Sequence, residues 1–271
     1  MKLSDAVRIL GEAGIDSPKH EARLLCSHFE NLPSHKLIAD DPETENEALI
    51  SAVKRRSLRE PLQYIIGEVG FYKETYKVTQ DCLIPREDTE ILVDYAVKHL
   101  PSGAFFLDLC TGSGCIAISV LKNTRETSAI GADISEGALA IAKENAKRNG
   151  VCDRLSLELL DVTKSTPKTH RTFDAILSNP PYVTEKAYSS LEKEIYFEPK
   201  LAFVGGEDGA DLYRAITKGY KHLLSEGGFI AYEIGYDQSK IISDIAKENG
   251  MSAEIINDLS GNPRVAVLKR I

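Results

Sequence analysis

The sequence predicts an α/β protein with a seven-stranded, mostly parallel sheet, preceded by a small helical domain. From Ala104 onward, short apolar runs alternate with helical patterns, as expected for parallel strands covered by helices on both faces. The last two apolar runs are joined only by the turn Ser260-Gly261-Asn262-Pro263, which predicts a C-terminal antiparallel hairpin at one sheet edge. The first sixty or so residues show helical spacing alone.

The predicted helical domain covers residues 1–60. Its apolar residues recur at helical spacing, and Ser17-Pro18 predicts a helix start, because serine is a favoured N-cap and proline fits the first helical position. Asp41-Pro42-Glu43 predicts the start of a further helix for the same reason. This domain offers no chemistry of its own.

A β-hairpin connector is predicted over residues 61–86, followed by a third domain over residues 87–271. Gln63-Tyr64-Ile65-Ile66-Gly67, Phe71-Tyr72 and Tyr76-Lys77-Val78 are rich in residues typical of strands and are broken by glycine and charged turns. The third domain carries the sheet. Its predicted strands are 104–109, 128–133, 155–160, 173–178, 228–234, 252–257 and 264–269, and its predicted helices are 89–100, 115–123, 136–148, 209–224 and 238–249.

Composition and charge exclude several classes of protein. No apolar run approaches the roughly 20 residues of a membrane span, and the first residues lack a secretory signal. We therefore expect a cytoplasmic monomer without membrane association. The net charge of −8 argues against direct nucleic-acid binding. The five cysteines are scattered without a C-x-x-C pair, so we expect neither a disulfide framework nor a metal site.

The most informative motif is Asn179-Pro180-Pro181-Tyr182, directly after the predicted strand 173–178. Two consecutive prolines cannot continue a sheet, so the chain must leave it in a stiff turn. The carboxyl end of a parallel strand is where open α/β sheets bind ligands. There the turn presents a side-chain amide, the carbonyl of Pro180 and an aromatic ring, a set that suits a planar group carrying an NH2.

A glycine-rich turn, Asp108-Leu109-Cys110-Thr111-Gly112-Ser113-Gly114, joins the first strand of the sheet to its helix. The glycines permit close approach of the backbone to a ligand, and the helix N-terminus offers free N–H groups. The pattern Gly112-x-Gly114-x-x-Ala117 is by itself only weak evidence for a dinucleotide site. The carboxylate of Asp108 would repel a pyrophosphate and attract a cation such as a sulfonium.

Two aspartates end the next two strands. Asp133 could accept both hydroxyls of a ribose, or it could cap the helix that follows Ser135. Asp161 could accept from an adenine amine, or it could be a surface turn residue. Together with the glycine-rich turn, these residues describe an adenosine site without phosphate recognition, and its simplest ligand is S-adenosylmethionine.

An amide or aromatic amine nitrogen is a poor nucleophile because its lone pair is delocalised. The side-chain oxygen of Asn179 and the carbonyl of Pro180 would accept both N–H hydrogens and hold the nitrogen about 3–3.5 Å from the methyl group. The same acceptors would stabilise the positive charge that develops on nitrogen. Tyr182 would pack on the planar group.

With these motifs the chain resembles the class I S-adenosylmethionine-dependent methyltransferases, which have a Rossmann-like sheet. Within them it resembles the peptide chain release factor glutamine methyltransferases of the PrmC/HemK type, over nearly the whole chain. Besides the motifs above, the resemblance is carried by Gln63 to Gly67 with Phe71-Tyr72, Leu83-Ile84-Pro85-Arg86-x-Asp88-Thr89-Glu90, Phe197-Glu198-Pro199-x-x-Ala202, Gly205-Gly206-x-Asp208-Gly209 with Tyr213, and Glu233-Ile234-Gly235.

The resemblance implies methylation of the glutamine side-chain amide in the Gly-Gly-Gln motif of peptide chain release factors. The cofactor would be S-adenosyl-L-methionine and the product S-adenosyl-L-homocysteine, with the helical domain helping to hold the factor. Residues 110–114, Asp133 and Asn179 would bind the cofactor, and Asp108 and Asp161 belong to the same expected site. Residues 179–182 would hold the glutamine, with Asn179, Pro180 and Tyr182 as the catalytic residues.

Two positions depart from the family pattern. Cys110 stands where glycine is more common, and we expect a tighter turn with binding retained. Val162, in the expected cofactor site, stands where some members carry an aromatic residue that packs on adenine. Leu109 and Ile134 are the candidates to replace that contact.

Three alternatives stay open on sequence grounds. A methyltransferase for a glutamine of a ribosomal protein would share nearly every motif. An adenine-amine methyltransferase acting on nucleic acid would use equivalent chemistry, although the acidic charge argues against it. A non-catalytic sensor of S-adenosylmethionine would need the cofactor residues but not Asn179.

Overall fold

The structure is a computed structural model that describes residues 1–33, 37 and 41–271. The chain divides into two compact units. The N-terminal unit contains Met1–Glu68 and Glu192–Phe197, and the sheet unit contains Val69–Leu191 and Glu198–Ile271. Within the described ranges, no helix combines the length and the apolar character that a bilayer crossing requires.

The N-terminal unit is built from α-helices that share an apolar core. Leu10 and Leu25 have no exposed surface, and Leu49 and Val53 pack into the same cluster. The predicted helix start at Pro18 is confirmed, with proline in the first helical turn. The helices of the described residues are α1 (Leu3–Glu12), α2 (Pro18–Glu30), α3 (Glu47–Ser57) and α4 (Leu62–Ile66).

The predicted helix start at Asp41 is wrong. Helix α3 begins after Asn46, whose side-chain oxygen accepts from the backbone N–H of Ala48 at 3.0 Å and of Leu49 at 3.3 Å. Asp41 instead accepts from the backbone N–H and the hydroxyl of Ser4, at 2.7 and 2.8 Å. Its carboxylate therefore satisfies a free N–H in the first turn of α1, where a negative charge is favourable.

The strand predicted at residues 63–67 is also wrong, because Leu62–Ile66 form the one-turn helix α4. Pro61 precedes the helix, and Gly67 ends it with a left-handed φ of +85°. Proline at the start and glycine at the end are typical of a helix. The hairpin begins only after this helix, as a two-stranded sheet of β1 (Glu68–Phe71) and β2 (Glu74–Lys77).

Seven further strands form one sheet in the sheet unit. The strands are β3 (Phe105–Leu109), β4 (Ser128–Asp133), β5 (Leu155–Leu159), β6 (Phe173–Ser178), β7 (Leu224–Glu233), β8 (Met251–Asn257) and β9 (Pro263–Arg270), and the helices are α5 (Glu90–His99), α6 (Cys115–Asn123), α7 (Glu136–Arg148), α8 (Glu185–Tyr188), α9 (Asp211–Tyr220) and α10 (Ser239–Glu248).

The order of the strands is β5-β4-β3-β6-β7-β9-β8. Neighbours from β5 to β7 are parallel, and β9 is antiparallel to both β7 and β8. The predicted fold class, an α/β sheet of seven strands with a C-terminal antiparallel hairpin, is therefore confirmed.

Apolar residues cover both faces of this sheet. Phe106 and Leu177 belong to one buried cluster, whereas their chain neighbours Leu107 and Ile176 belong to another. Successive side chains of a strand point to opposite faces, so the two clusters are the two faces of the sheet. Helices pack on each of them, as parallel sheets require.

The register of the central strands brings their carboxyl ends together. Leu109, the last residue of β3, lies opposite Ala132 in β4 and Ser178 in β6. Asp133 and Asn179, each the next residue along its own chain segment, therefore lie at the same sheet edge as the glycine-rich turn. This edge carries the candidate site.

Candidate active site

A cavity of about 420 Å³ lies at this carboxyl edge, and all of its described lining residues belong to the sheet unit. Among its described wall residues are four aspartates, and none is lysine, arginine or histidine. Such a wall disfavours phosphate and suits a ligand that is neutral or positively charged. The aspartates are Asp81, Asp133, Asp161 and Asp211.

The structure places part of the predicted site in the cavity wall and part behind it. The predicted residues in the wall are Cys110, Gly112, Asp133, Asp161, Val162, Asn179 and Pro181. The predicted residues outside the wall are Asp108, Thr111, Ser113, Gly114, Pro180 and Tyr182.

The glycine-rich turn is a run of unusual backbone conformations. Cys110, Gly112 and Gly114 have left-handed φ angles of +59°, +55° and +81°. A Cβ on Gly114 would come within 2.9 Å of the Ile118 side chain and 3.2 Å of Ala142. Glycine at this position therefore lets the turn pack closely between α6 and α7.

Asp108 lies beneath the turn and is fully buried. Its Oδ2 accepts from the hydroxyl of Thr111 at 2.6 Å and from the backbone N–H of Ala117 at 3.2 Å. Its Oδ1 has no hydrogen-bond partner in the described part of the chain. Burial raises the pKa of Asp108 to about 7. Asp108 thus ties the turn to the start of α6 and does not reach the cavity, where the sequence had suggested contact with a cation.

Asp133 lines the cavity and also holds its wall together. Its Oδ2 accepts from the backbone N–H of Gly112 at 2.8 Å, and its Oδ1 accepts from the N–H of Ser135 at 3.0 Å. The N-cap of α7 is Ser135, whose hydroxyl oxygen accepts from the N–H of Ala138. Each carboxylate oxygen can accept a further hydrogen bond. Burial raises the pKa of Asp133, while its backbone hydrogen bonds oppose that shift.

Asp161 lies in the cavity wall within a local turn. Its Oδ1 accepts from the N–H and the hydroxyl of Thr163 at 3.0 and 2.6 Å. Its Oδ2 lies 2.7 Å from Nζ of Lys164, and this hydrogen bond, with those from Thr163, lowers the pKa of Asp161 to about 2. Both interactions are the features of a turn aspartate, and they occur at the wall where a ligand contact was predicted.

Apolar side chains complete the wall next to Asp161. Val162 and Ile134 both line the cavity, and Ile134 is about half exposed. Leu109 is fully buried in the core and lies outside the lining, so the suggestion that it replaces an aromatic contact is wrong. Of the two candidates, Ile134 is the one that could meet a planar ring.

The acceptor loop, residues 179–183, is held by a neighbouring segment, residues 203–209. Val183 donates its N–H to the carbonyl of Phe203 at 2.8 Å, and Gly205 donates back to the carbonyl of Val183 at 3.0 Å. A Cβ on Gly205 would lie 2.2 Å from the carbonyl oxygen of Pro181. The two segments can therefore lie this close only because residue 205 is glycine.

Two residues that the sequence analysis did not assign to the site are joined to the acceptor loop. Nδ2 of Asn179 donates to Oγ1 of Thr89 at 3.3 Å, and Thr89 donates to Oε2 of Glu233 at 2.5 Å. The hydroxyl of Tyr182 donates to the other oxygen of Glu233 at 3.3 Å. Glu233 is buried, and burial raises its pKa to about 7. For Glu233, the sequence did carry a signal of a role in the site, because this carboxylate stands at the carboxyl end of a buried strand.

Glu198 joins the segment after the acceptor loop to the stretch before α5. Its buried carboxylate accepts from the backbone N–H of Ile84 at 2.9 Å and from the guanidinium of Arg86. This fixes the neighbouring Pro199 and Leu201, which both line the cavity. In the sequence, Glu198 stands out only as part of a motif, because its partners lie more than one hundred residues away along the chain.

Comparison with known proteins identifies the family of the chain. The family model "PrmC N-terminal domain" matches residues 2–67, and the model "Methyltransferase small domain" matches residues 87–198. A protein of Thermodesulfovibrio yellowstonii named release factor glutamine methyltransferase is 38% identical, covering 92% of each chain. A protein of the same name from Moorella thermoacetica is 35% identical, covering 97% of this chain and 95% of its own.

A solved structure supports the fold. A methyltransferase from Pyrococcus furiosus superposes with a TM-score of 0.54 at 19% identity, covering 72% of this chain and 89% of its own. The fold rests on this likeness and the family on the two relatives, which are similar over nearly their entire length. The chain belongs to the release factor glutamine methyltransferase family, as its motifs had indicated.

Proposed function

We propose that this protein methylates the side-chain amide of the glutamine in the Gly-Gly-Gln motif of peptide chain release factors. The observation that carries the proposal is Asn179, which directly follows a central strand and lines the same cavity as Asp133. An amide beside a wall of carboxylates and glycine can hold a planar amide substrate next to a cationic methyl donor. Membership of the family supplies the substrate class.

The cavity fits S-adenosyl-L-methionine as the donor. Asp133 offers carboxylate oxygens for the ribose hydroxyls, and Gly112 allows close approach of the backbone. Val162 and Ile134 offer apolar surface for the adenine. The acidic wall favours the sulfonium charge. Bound there, the cofactor would supply an activated methyl group, and S-adenosyl-L-homocysteine would be the product.

The acceptor loop would act on the glutamine nitrogen through two fixed acceptors. Oδ1 of Asn179 and the carbonyl of Pro180 would accept its two N–H hydrogens and stabilise the positive charge that develops there. Pro180 and Pro181 fix the backbone of the loop, so the two acceptors need little rearrangement during the reaction. Among the described wall residues there is no lysine or histidine to act as a base. None is needed, because a cationic N-methyl amide gives its proton to water readily.

The test is mass spectrometry of a purified release factor after incubation with this protein and S-adenosyl-L-methionine. We expect a gain of one methyl group on the glutamine of Gly-Gly-Gln. Asn179→Ala should lower the rate by roughly 100- to 1,000-fold, as for the loss of one placed dipole, with cofactor binding largely retained in calorimetry. A methyl group on a ribosomal protein, and none on the factor, would overturn the proposed substrate.

Cofactor binding has a separate test at Asp133. Asp133→Ala should weaken binding of S-adenosyl-L-methionine by roughly tenfold or more, since a charged hydrogen-bond acceptor is lost. Asp153→Ala is the matched control, because Asp153 is exposed and lies outside the cavity wall. Equal affinity of the two variants would assign Asp133 only to holding Gly112 and Ser135.

A further inference from the structure

We infer that Glu233 and Thr89 are positioning residues that fix the orientation of the Asn179 side-chain amide. They hold Nδ2 of Asn179 away from the substrate and leave Oδ1 as the acceptor for the substrate nitrogen. The inference rests on the proposed function, because it assigns new residues to the same reaction. It concerns contacts among Thr89, Asn179, Tyr182 and Glu233 within the sheet unit.

The direction of these hydrogen bonds follows from the chemistry of the groups. An ionised carboxylate can only accept, so Glu233 accepts from Thr89 at 2.5 Å and from Tyr182 at 3.3 Å. The threonine hydroxyl has a single hydrogen, and it donates this hydrogen to Glu233 in a hydrogen bond. Toward Asn179, 3.3 Å away, Thr89 can therefore only accept, and the group facing it must be the NH2 of the amide.

Burial and backbone contacts make this arrangement rigid. Thr89 is 1% exposed and Glu233 is 3% exposed, so water has little access to replace either partner. Glu233 is the last residue of β7, and its own carbonyl accepts from the hydroxyl of Tyr213 at 2.8 Å. A group on a strand, supported by packed neighbours, holds its geometry better than one on a loop.

The orientation matters because the two ends of an asparagine amide have opposite roles. Oδ1 accepts hydrogen bonds and Nδ2 donates them. If the amide of Asn179 turned over, its NH2 would meet the NH2 of the glutamine, and two donors would face one another. The acceptor that stabilises positive charge on the substrate nitrogen would then be lost.

The charge state of Glu233 supports this role. Four groups face its carboxyl group: Thr89 and Tyr182 by hydrogen bonds, Asp88, which raises its pKa, and Arg264, which lowers it. Burial is the largest influence and brings the pKa to about 7. The ionised carboxylate above that pH accepts only. Below it, protonated Glu233 could donate to Thr89, and the amide of Asn179 would no longer be held in one orientation.

The experiment compares three variants. Thr89→Val removes the hydroxyl and keeps the shape, Thr89→Ser keeps the hydroxyl, and Thr217→Val is the matched control. Thr217 is also fully buried, and its hydroxyl bonds that of Tyr232 at 2.9 Å, away from the acceptor loop. With the release factor as substrate, Thr89→Val should lower kcat by roughly 10- to 100-fold, part of the loss expected for one dipole. Thr89→Ser and Thr217→Val should stay within about threefold of wild type, and cofactor affinity should be unchanged in all three.

A second readout needs neither cofactor nor substrate. In protein labelled with 15N-asparagine, the side-chain NH2 signal of Asn179 is assigned by its loss in Asn179→Asp. This signal should move in Thr89→Val, stay in place in Thr89→Ser and Thr217→Val, and titrate in wild type near pH 7. An unmoved signal in Thr89→Val overturns the inference. Wild-type protein that does not methylate the release factor overturns the proposed function instead, while the NMR result still decides on the positioning residues.

Discussion

At the scale of single residues, the backbone of the glycine-rich turn favours glycine at position 110, where this chain has cysteine. Cys110 has a φ of +59°, a conformation in which the Cβ of an L-residue crowds its own backbone. The structure tolerates this because the turn is held from below by Asp108 and from the side by Asp133. Within this turn, the backbone strain therefore lies at Cys110.

Cys110→Gly should therefore raise the free energy of unfolding by about 1 kcal/mol, since the left-handed conformation costs an L-residue about 1–2 kcal/mol. Part of this gain is offset by the greater freedom of glycine in the unfolded chain. Cys152→Gly is the control, because Cys152 is not among the residues with positive φ and should gain nothing. Denaturant unfolding of both variants measures the difference. A loss of stability in Cys110→Gly would show that the side chain contributes more by packing than it costs in strain.

Asp108 should make the stability of the unliganded protein depend on pH. The pKa of Asp108 is about 7 in the folded protein, against 3.8 for an unperturbed aspartate. Between these two pH values, the folded protein therefore keeps a proton on Asp108 that the unfolded chain releases. The free energy of unfolding should fall as pH rises from about 4 to about 7, by roughly 1.4 kcal/mol per unit of pKa difference at most. Asp108→Asn, which imitates the protonated form, should match wild type at pH 4 and exceed it at pH 8. Parallel pH curves for the two proteins would contradict this role.

At the scale of elements, the acceptor loop owes its position to the segment 203–209. Glycines stand where this segment crosses the loop, and the backbones lie closer than any side chain would allow. The loop also receives a side-chain bond, because Gln238 donates from Nε2 to the carbonyl of Tyr182 at 3.2 Å. The backbone of the loop is therefore held both by the backbone of segment 203–209 and by the side chain of Gln238.

Gly205→Ala should displace the acceptor loop, because the added Cβ would lie 2.2 Å from the carbonyl of Pro181. We expect kcat to fall by roughly tenfold or more, since small misplacements of reacting groups are costly. Gly219→Ala is the matched control: Gly219 lies in α9, and a Cβ there meets nothing within 4 Å. That variant should keep full activity and gain roughly 0.5–1 kcal/mol of stability. Equal activity of the two variants would mean that the loop adapts without cost.

The elements that could be predicted from sequence are those with a clear local pattern. Strands 128–133 and 173–178 and helices 115–123 and 136–148 are confirmed at both ends. The start of α3 was misplaced because Asp41-Pro42 carries the same capping signature as the true N-cap, Asn46. The helix α4 was missed because its isoleucines favour strands, while the flanking proline and glycine decide in favour of a helix.

The residues of the site also divide into those that a sequence pattern predicts and those that it does not. Residues that end parallel strands could be predicted, because the topology of the sheet brings those ends together. The contact of Thr89 with Glu233 could not, because 144 positions separate them and no local pattern records the pairing. The place of Asp108 behind the wall is likewise decided by burial and by packing against α6.

At the scale of the whole molecule, the N-terminal unit is tied together by buried charge. Arg56 is 6% exposed and pairs with Glu21 at 2.5 Å and with Glu194 at 3.0 Å. Arg59 forms an ion pair with the same Glu194 at 2.8 Å. These pairs attach Glu192–Phe197, a segment distant in sequence, to the helices of the unit. In the described part of the chain, the residues that line the cavity all belong to the sheet unit.

Arg56→Ala should therefore separate stability from cofactor binding. Removing one partner of a buried ion pair leaves the other uncompensated and costs about 3–5 kcal/mol, whereas Arg8→Ala breaks only an exposed pair with Glu12 and should cost at most about 0.5 kcal/mol. Calorimetry should give the same affinity for S-adenosyl-L-methionine in both variants, because no wall residue of the cavity is touched.

If the helical unit helps to hold the release factor, as the resemblance to the family implies, KM for the factor should rise in Arg56→Ala while the affinity for the cofactor is unchanged. Arg59→Ala leaves Arg56 paired with both Glu21 and Glu194, so it should give an intermediate KM and lose less stability than Arg56→Ala. Steady-state kinetics with full-length factor measure both. A fall in cofactor affinity that parallels the rise in KM would contradict the division of roles, because none of the described wall residues belongs to the helical unit.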